Sequence, residues 1–297
     1  MKNIYRIFVF VLVFILVAAG MPSVCSAEGY AADHYFYDQL DDNEKAVYNS
    51  FAVLHQQGSN LTQFEYCVWL PDPLSVYSSQ DFVYTASYAF EYDHPFDGMC
   101  WNFYIYDASG RYPLSECYKD PSLRSTLDSH EILFRIEPIF TEAELRAVEM
   151  TLDSIVEQAD RNWSRYQRAS YLLDVVSGRL QYDWNEEFDE DIESSVMCIR
   201  YGKATCEGFS RVYKTLADKL DLPCTLCNGD GHMFVLVQME DGQWYMVEPQ
   251  GTFLLGGWRG FENGSKYYPF IVPVHWNARD GHGAVHFPSI AENRYIP

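Results

Sequence analysis

Cys206 stands at the start of a helical pattern in the segment GKATCEGFSRVYKTLADKLDLP. Apolar residues recur after it at steps of three and four, which predicts a helix that begins at Cys206 and ends before Leu222-Pro223. A thiol in the first turn of a helix meets unsatisfied N–H groups and the positive end of the helix dipole, and both lower its pKa. The position therefore predicts a nucleophilic thiolate, beside backbone N–H groups that could receive a developing oxyanion.

A thiolate of this kind needs a base, and His232 with Glu248 supplies a candidate pair. Two apolar strands flank the turn at 240–242, with His232 at the start of the first strand and Glu248 at the end of the second. If the two side chains meet, the carboxylate can orient the imidazole, and the imidazole can take the proton from Cys206.

The length of the turn decides whether His232 and Glu248 share a face of the sheet. A two-residue loop places Glu248 opposite Val235 and puts the two side chains on opposite faces. A three-residue loop places Glu248 opposite Phe234, on the face of His232 and diagonal to it. Glycine in the last place of a three-residue loop fits a type I turn followed by a glycine bulge, so Gly242 favours the second register.

A zinc site is the alternative for this thiol, because Cys206, Cys224, Cys227 and His232 would form a four-ligand set. However, LPCTLCNG is predicted to be a strand, in which residues three apart point to opposite faces. We therefore expect no metal ion. Three strand residues also span roughly 10 Å between Cα atoms, beyond disulfide distance, so Cys224 and Cys227 are predicted to lie in the core.

The amino terminus predicts export. Lys2 and Arg6 precede an apolar run over 7–19, and a small-residue stretch ends at Ala27, which is typical of a signal peptide cleaved near that residue. No later segment offers ~20 consecutive apolar residues, so we expect no membrane insertion after cleavage. A lipid anchor on Cys25 is the alternative, but the residues before it lack the expected leucine and small side chains.

The net charge limits the classes of binding partner, and the number of cysteines limits how many thiols can form disulfides. The net charge of −21 becomes −23 without the two signal-peptide cations, which disfavours nucleic acid and anionic membrane surfaces. Removal of Cys25 leaves seven cysteines, an odd number, so at least one thiol stays unpaired. The pairing of the other six is left open, and all six can equally be reduced and buried. They are Cys67, Cys100, Cys117, Cys198, Cys224 and Cys227.

Helix and strand signals alternate along the rest of the chain, which predicts an α+β protein. A helix is expected from Asp41 or Asp42 to Gly58, and a helix, a turn and a strand are expected between 81 and 107. Another helix starts near Glu142 after a Thr-x-x-Glu capping box. We place a boundary near Pro138, between an accessory region at 28–138 and a catalytic-type domain at 139–297.

Three segments in this order, YGKATCEGFSRVYKTLADKLDLPC, GHMFVLV and DGQWYMVEP, resemble the core of the transglutaminase-like superfamily. The segment YQRASYLLDVVSGRLQYDWN resembles the helix and Tyr-Asp element that precede the nucleophile in bacterial secreted members. The resemblance implies a papain-like α+β fold, with the nucleophile helix packed on an antiparallel sheet. It also implies Cys206 as nucleophile, His232 as general base and Glu248 as orienting acid.

The chain departs from the family pattern at several positions. Glu248 stands where the family usually has Asp, and the turn before it is one residue longer. Met233 and Val235 replace an aromatic residue and an asparagine. Ser195-Val196 replaces an Ala-Tyr pair, which leaves the side-chain oxyanion donor unassigned. The other candidate bases all follow the acid, against the family's order: His275, His282 and His286.

These observations predict a secreted enzyme that transfers acyl groups through a thiolate, without a cofactor. Hydrolysis of peptide or amide bonds, as by a cysteine peptidase or amidase, is the favoured outcome, with a protein or peptide, including cell-wall peptide, as substrate. Protein cross-linking by transfer to an amine is one alternative. A catalytically inactive cell-surface binding module on the same fold is the other.

Overall fold

Helices and strands alternate along the chain, as an α+β protein requires. The computed structural model describes residues 35–57, 64–96, 100–183, 193–229, 232–250, 253–256, 287–291 and 295–296. The helices are α1 (Asp42–Gln57), α2 (Asp81–Asp93), α3 (Leu114–Lys119), α4 (Glu142–Val156), α5 (Arg165–Arg179), α6 (Ser195–Tyr201) and α7 (Cys206–Lys219). The strands are β1 (Phe64–Trp69), β2 (Trp101–Asp107), β3 (Glu131–Pro138), β4 (Gln181–Tyr182), β5 (Lys203–Ala204), β6 (Cys224–Gly229), β7 (His232–Gln238), β8 (Trp244–Glu248) and β9 (Phe253–Gly256). The α+β fold class is confirmed.

Three sheets are formed within the described ranges. Strands β1, β3 and β2 form an antiparallel sheet in that spatial order, and β6, β7, β8 and β9 form a second antiparallel sheet in sequence order. The short strands β4 and β5 pair in parallel. Antiparallel strands that follow each other in the chain can be joined by a short turn. The hairpin of β7 and β8 therefore places the start of β7 next to the end of β8.

Helix starts follow the side-chain signals that the sequence carries. Thr141 and Glu144 form the capping box at the start of α4, and Ser164 and Gln167 form a second one at the start of α5. Each box pairs two backbone N–H groups that would otherwise lack partners in the first turn. The predicted helices that begin at Asp42, Asp81, Glu142 and Cys206 are all confirmed.

Helix α7 lies at the centre of the protein. It contacts β6 and β7 on one side and α5 and α6 on others, and every residue from Gly208 to Ala217 is buried. Burial of a side chain such as Leu216 stabilises the fold by about 1.5–3 kcal/mol. The predicted packing of the nucleophile helix on an antiparallel sheet is thus observed.

Two buried cations of α7 contact the carboxyl end of α2. The Lys214 ammonium donates to the backbone carbonyl of Asp93 at 3.2 Å and to the Asp218 carboxylate. The Arg211 guanidinium pairs with Glu207 on its own helix and with Glu91 on α2. The described residues belong to one compact unit. The domain boundary near Pro138 stays a prediction.

Candidate active site

Cys206 occupies the first position of α7, as predicted. Thr205 precedes it with extended backbone, and the Thr205 hydroxyl accepts a hydrogen bond from the Gly208 amide. This cap begins the helix at Cys206 and leaves the thiol beside the N–H groups of the first turn. The Cys206 side chain is half-buried, so it can be reached from solvent.

The hairpin of β7 and β8 adopts the three-residue register that Gly242 favours. Val235 pairs with Val247, and the Met239 amide donates to the carbonyl of Gln243 at 3.0 Å. Gly242 has φ of +78°, the left-handed conformation that a glycine bulge requires. The extension of this register places Glu248 opposite Phe234, and the predicted register is confirmed.

This register brings His232 and Glu248 together. The Nε2 atom of His232 lies 2.5 Å from Oε2 of Glu248, and the carboxylate is buried while the imidazole remains partly exposed. The second carboxylate oxygen, Oε1, is buried without a hydrogen-bond partner among the described residues. Because Nε2 faces the carboxylate, Nδ1 is the ring nitrogen that remains for the thiol.

Cys206 and His232 are also hydrogen-bonded to each other, and their pKa values move in opposite directions. Burial raises the pKa of Cys206, but the hydrogen bond to His232 and those from the Met233 and Glu207 amides outweigh it, so the pKa is lowered. Hydrogen bonds to Cys206 and to Glu248 raise the pKa of His232 to about 10, against the opposing effect of burial. Both shifts favour a thiolate next to an imidazolium.

The pKa of the Cys206 thiol is lowered, whereas the pKa values of five other thiols are raised. None of the seven cysteines in the described ranges forms a disulfide, and Cys67 is exposed instead of buried. Burial raises the pKa of the thiols of five of them, namely Cys67, Cys117, Cys198, Cys224 and Cys227. In these five thiols the effect of burial outweighs that of any nearby cation or hydrogen bond, whereas at Cys206 the hydrogen bonds outweigh burial.

Comparisons with known proteins found similarity to parts of solved structures. No protein-family model matches this chain, and no curated protein matches it. The chain is similar to parts of two solved structures. One is a "TGase", with a TM-score of 0.33, 15% identity and 42% of each chain covered. The other is a "putative cysteine protease" from Cytophaga hutchinsonii, with a TM-score of 0.26 and 10% identity.

The similarity is partial in extent. The similarity to the Cytophaga protein spans 41% of this chain and 54% of that protein. The similarity to the TGase spans less than half of either chain. The roles of individual residues rest on the geometry described above.

Ser210 and Tyr182 lie next to the site, and the sequence alone assigned no role to either residue. The Ser210 hydroxyl lies 2.9 Å from the Cys206 carbonyl oxygen and 3.1 Å from that of Met233, so it bridges α7 and β7. The Tyr182 hydroxyl accepts a hydrogen bond from the Cys206 backbone amide. The Tyr-Asp element was the only sequence signal for Tyr182. The sequence carried no signal for Ser210, because a serine inside a helix has no distinguishing pattern.

The alternative zinc ligands are held apart from the thiol. Cys224 and Cys227 lie on β6 opposite Val237 and Phe234, and both are buried, as predicted. Within the described ranges, no cluster of three or more His, Cys, Asp or Glu side chains is arranged to hold a metal ion. In the same ranges, no helix is both long enough and apolar enough to cross a membrane. The predicted signal peptide and the three other candidate histidines lie outside these ranges.

Arg165 fixes the hairpin to the helical layer. Its guanidinium donates to the carbonyl oxygens of Gln238 and Met239, at 3.0 and 2.9 Å, and its backbone amide donates to the Glu240 carboxylate. These bonds join the start of α5 to the turn between β7 and β8. The turn that sets the His232 and Glu248 register is therefore held from outside the sheet.

Proposed function

We propose that this protein is an exported, cysteine-dependent acyl-transfer enzyme that hydrolyses amide bonds in proteins or peptides. The observation that supports this most directly is the continuous path of hydrogen bonds from the Cys206 thiol through His232 to Glu248. In this proposal Cys206 is the nucleophile, His232 the general base and acid, and Glu248 the group that orients the imidazole.

The reaction follows from the ionised pair. The Cys206 thiolate attacks the amide carbonyl carbon, a C–S bond forms, and the carbonyl π electrons move to oxygen. His232 gives its Nδ1 proton to the nitrogen as the C–N bond breaks, so a neutral amine leaves and a thioester remains. Water then attacks the thioester with His232 as base, and the acid and the thiolate are released. Glu248 keeps Nε2–H in place throughout and stabilises the imidazolium.

The proposed substrate is a protein or peptide, with cell-wall peptide as the first class to test. The proposed location is outside the cell, because residues 1–27 have the composition of a signal peptide. Water is the favoured acceptor. Transfer to an amine would convert the same thioester into a cross-link, and the experiments below separate these outcomes.

The pH dependence of alkylation tests the ionised pair directly. Iodoacetamide should label Cys206 with a midpoint below the ~8.5 of a free thiol. His232→Ala should move the midpoint to higher pH, because the hydrogen bond to the imidazole lowers the thiol pKa. Mass spectrometry locates the label, and Cys206→Ala is the control. Labelling at an ordinary thiol pKa, unchanged in His232→Ala, would refute the enzyme and favour a binding module.

Product analysis decides between the two acyl acceptors. The protein is incubated with peptide and cell-wall extracts in water, with and without an added primary amine, and products are identified by mass spectrometry. Free carboxylic acids that depend on Cys206 support hydrolysis. Amine conjugates as the dominant products would replace hydrolysis with cross-linking.

A further inference from the structure

The Cys206 sulfur accepts hydrogen bonds from backbone amides of two different elements. The Glu207 amide lies in the first turn of α7, and the Met233 amide lies on β7. The helix itself fixes the Glu207 amide relative to the sulfur. The Met233 amide stays on the sulfur only while the start of α7 and the start of β7 keep their relative position. A group that joins these two starts would therefore control the contact from β7.

The peptide groups of Met233 point toward a strand position that is occupied by proline. In the hairpin of β7 and β8 the Met239 amide donates to the Gln243 carbonyl at 3.0 Å. Hydrogen-bonded pairs recur at every second residue of an antiparallel hairpin, so Met233 belongs to the same series. The extension of the hairpin register places Pro249 opposite it. Because proline has no N–H, Pro249 cannot donate to the Met233 carbonyl.

Ser210 supplies that donor from the helix. Its side chain is fully buried, and its hydroxyl lies 3.1 Å from the Met233 carbonyl oxygen and 2.9 Å from the Cys206 carbonyl oxygen. A hydroxyl has one hydrogen to donate. The Cys206 carbonyl faces the Ser210 amide, its partner in the α-helical pattern, so it has a donor without the hydroxyl. The Met233 carbonyl is therefore the acceptor that depends on the Ser210 hydroxyl.

We propose that Ser210 is a positioning residue whose hydroxyl takes the place of the missing strand donor and thereby holds the Met233 amide on the Cys206 sulfur. This inference rests on the proposed function and deepens it. The N–H and the C=O of one strand residue point to the same side of the strand, so a hydroxyl that fixes the Met233 carbonyl also fixes its amide. Ser210 acts through Met233 and takes no part in making or breaking bonds.

The effect of this contact falls on the charged form of the sulfur. An amide N–H stabilises a thiolate more than a thiol, because a hydrogen bond to an ionised acceptor is stronger. A Met233 amide that is held less closely would raise the pKa of Cys206 and leave less of the sulfur ionised at neutral pH. A serine with a purely structural role would change the stability of the fold and leave the ionisation of the sulfur unchanged.

The pH profile of alkylation by iodoacetamide separates these roles. Ser210→Ala should raise the midpoint for Cys206 by about one pH unit, which is about a tenfold weaker stabilisation of the thiolate. Ser170→Ala is the matched control, because the Ser170 hydroxyl donates to a carbonyl of its own helix, that of Tyr166, at 2.8 Å. Its midpoint should equal that of wild type. Mass spectrometry locates the label, and denaturant unfolding measures the stability of each variant.

Ser210→Thr and Ser210→Val form a second pair of variants with the same shape, of which only the first keeps the hydroxyl. Any effect of the added methyl groups on packing cancels in the comparison. The midpoint of Ser210→Thr should therefore lie about one pH unit below that of Ser210→Val. This pair also decides the question if Ser210→Ala does not fold.

The remaining outcomes count against the inference. An unchanged midpoint in Ser210→Ala, or equal midpoints in Ser210→Thr and Ser210→Val, overturns it, even if the free energy of unfolding falls. An equal rise in Ser170→Ala also overturns it, because the effect would then belong to any helical serine. If the wild-type midpoint lies at the ~8.5 of an ordinary thiol, the proposed function fails and this inference fails with it. A low wild-type midpoint that persists in Ser210→Ala removes this inference alone.

Discussion

Nε2 of His232 and Oε2 of Glu248 are 2.5 Å apart although the two residues are not directly opposite each other in the sheet. Glu248 extends the register that pairs Val235 with Val247, so it faces Phe234 and lies diagonal to His232. Diagonal neighbours are about 7–8 Å apart at Cα, farther than facing residues. The longer side chain of glutamate suits this distance, and the three-residue turn puts both side chains on one face.

The charge and the length of Glu248 can be tested separately. Glu248→Gln keeps the length of the side chain but replaces a charge-assisted hydrogen bond to His232 with a neutral one. This should cost about 1–2 kcal/mol of transition-state stabilisation, or roughly tenfold in turnover. It should also lower the pKa of His232, since the hydrogen bond and charge of Glu248 raise it. Glu248→Asp keeps the charge but misplaces the carboxylate by about 1 Å or more, which can cost up to about a hundredfold.

Both variants are measured by alkylation midpoint and by turnover on an identified substrate. In Glu248→Gln the midpoint for Cys206 should move to higher pH, because a less stable imidazolium stabilises the thiolate less. Turnover equal to wild type in both variants would show that Glu248 does not orient His232.

Gly242 should be intolerant of a side chain for a purely conformational reason. Its φ is +78°, and a Cβ there would meet nothing within 4 Å. Gly242→Ala should therefore destabilise the fold by about 1–2 kcal/mol through backbone strain alone. Gly178, inside α5, also has open space around a Cβ and has no positive φ. Gly178→Ala should stabilise by up to about 1 kcal/mol. Denaturant unfolding measures both, and equal effects would contradict the assigned turn.

The buried Arg211 should contribute far more to stability than the partly exposed Lys219. Its side chain is 3% exposed and pairs with Glu207 and Glu91. Arg211→Met leaves two carboxylates without their cation, which should cost about 3–5 kcal/mol. Lys219 pairs with Asp153 at the surface at 2.7 Å, and Lys219→Ala should cost at most about 1 kcal/mol. Similar losses in the two variants would contradict this assignment.

Asp93 should make stability depend on pH. Burial is the main cause that raises its pKa to about 7, although the Lys214 charge and hydrogen bonds from Phe36, Tyr37 and Tyr48 oppose the shift. A carboxyl with a raised folded pKa binds more protons in the folded state. Its contribution is therefore complete below the unfolded pKa of ~3.9 and is lost as pH rises through about 7.

The measurement is the free energy of unfolding of wild type and Asp93→Asn from pH 4 to pH 8. The advantage of wild type over the variant should be largest at pH 4 and should decline toward pH 8, because the asparagine does not titrate. A difference that stays constant over this range would show that Asp93 has an ordinary pKa in the folded protein.

Local signals in the sequence were sufficient for much of the site. The helix start at Cys206, the strands around 240–242 and the turn ending at Gly242 depend on neighbours within a few residues, and all three are confirmed. Because side chains alternate strictly along a strand, the turn length alone placed His232 and Glu248 on one face. The helix start also placed the thiol beside the amides that lower its pKa.

Other features depend on contacts between distant segments, for which the sequence carries no periodic signal. The Tyr182 hydroxyl reaches the Cys206 amide because β4 pairs with β5, and Ser210 bridges α7 and β7 because the helix packs on that sheet. The pairs of Arg211 and Lys214 with α2 join residues about 120 positions apart. The amino-acid sequence by itself thus determined the identity and local geometry of the three proposed catalytic residues. Only the tertiary structure decided which other groups surround the thiol, since that depends on how whole elements pack together.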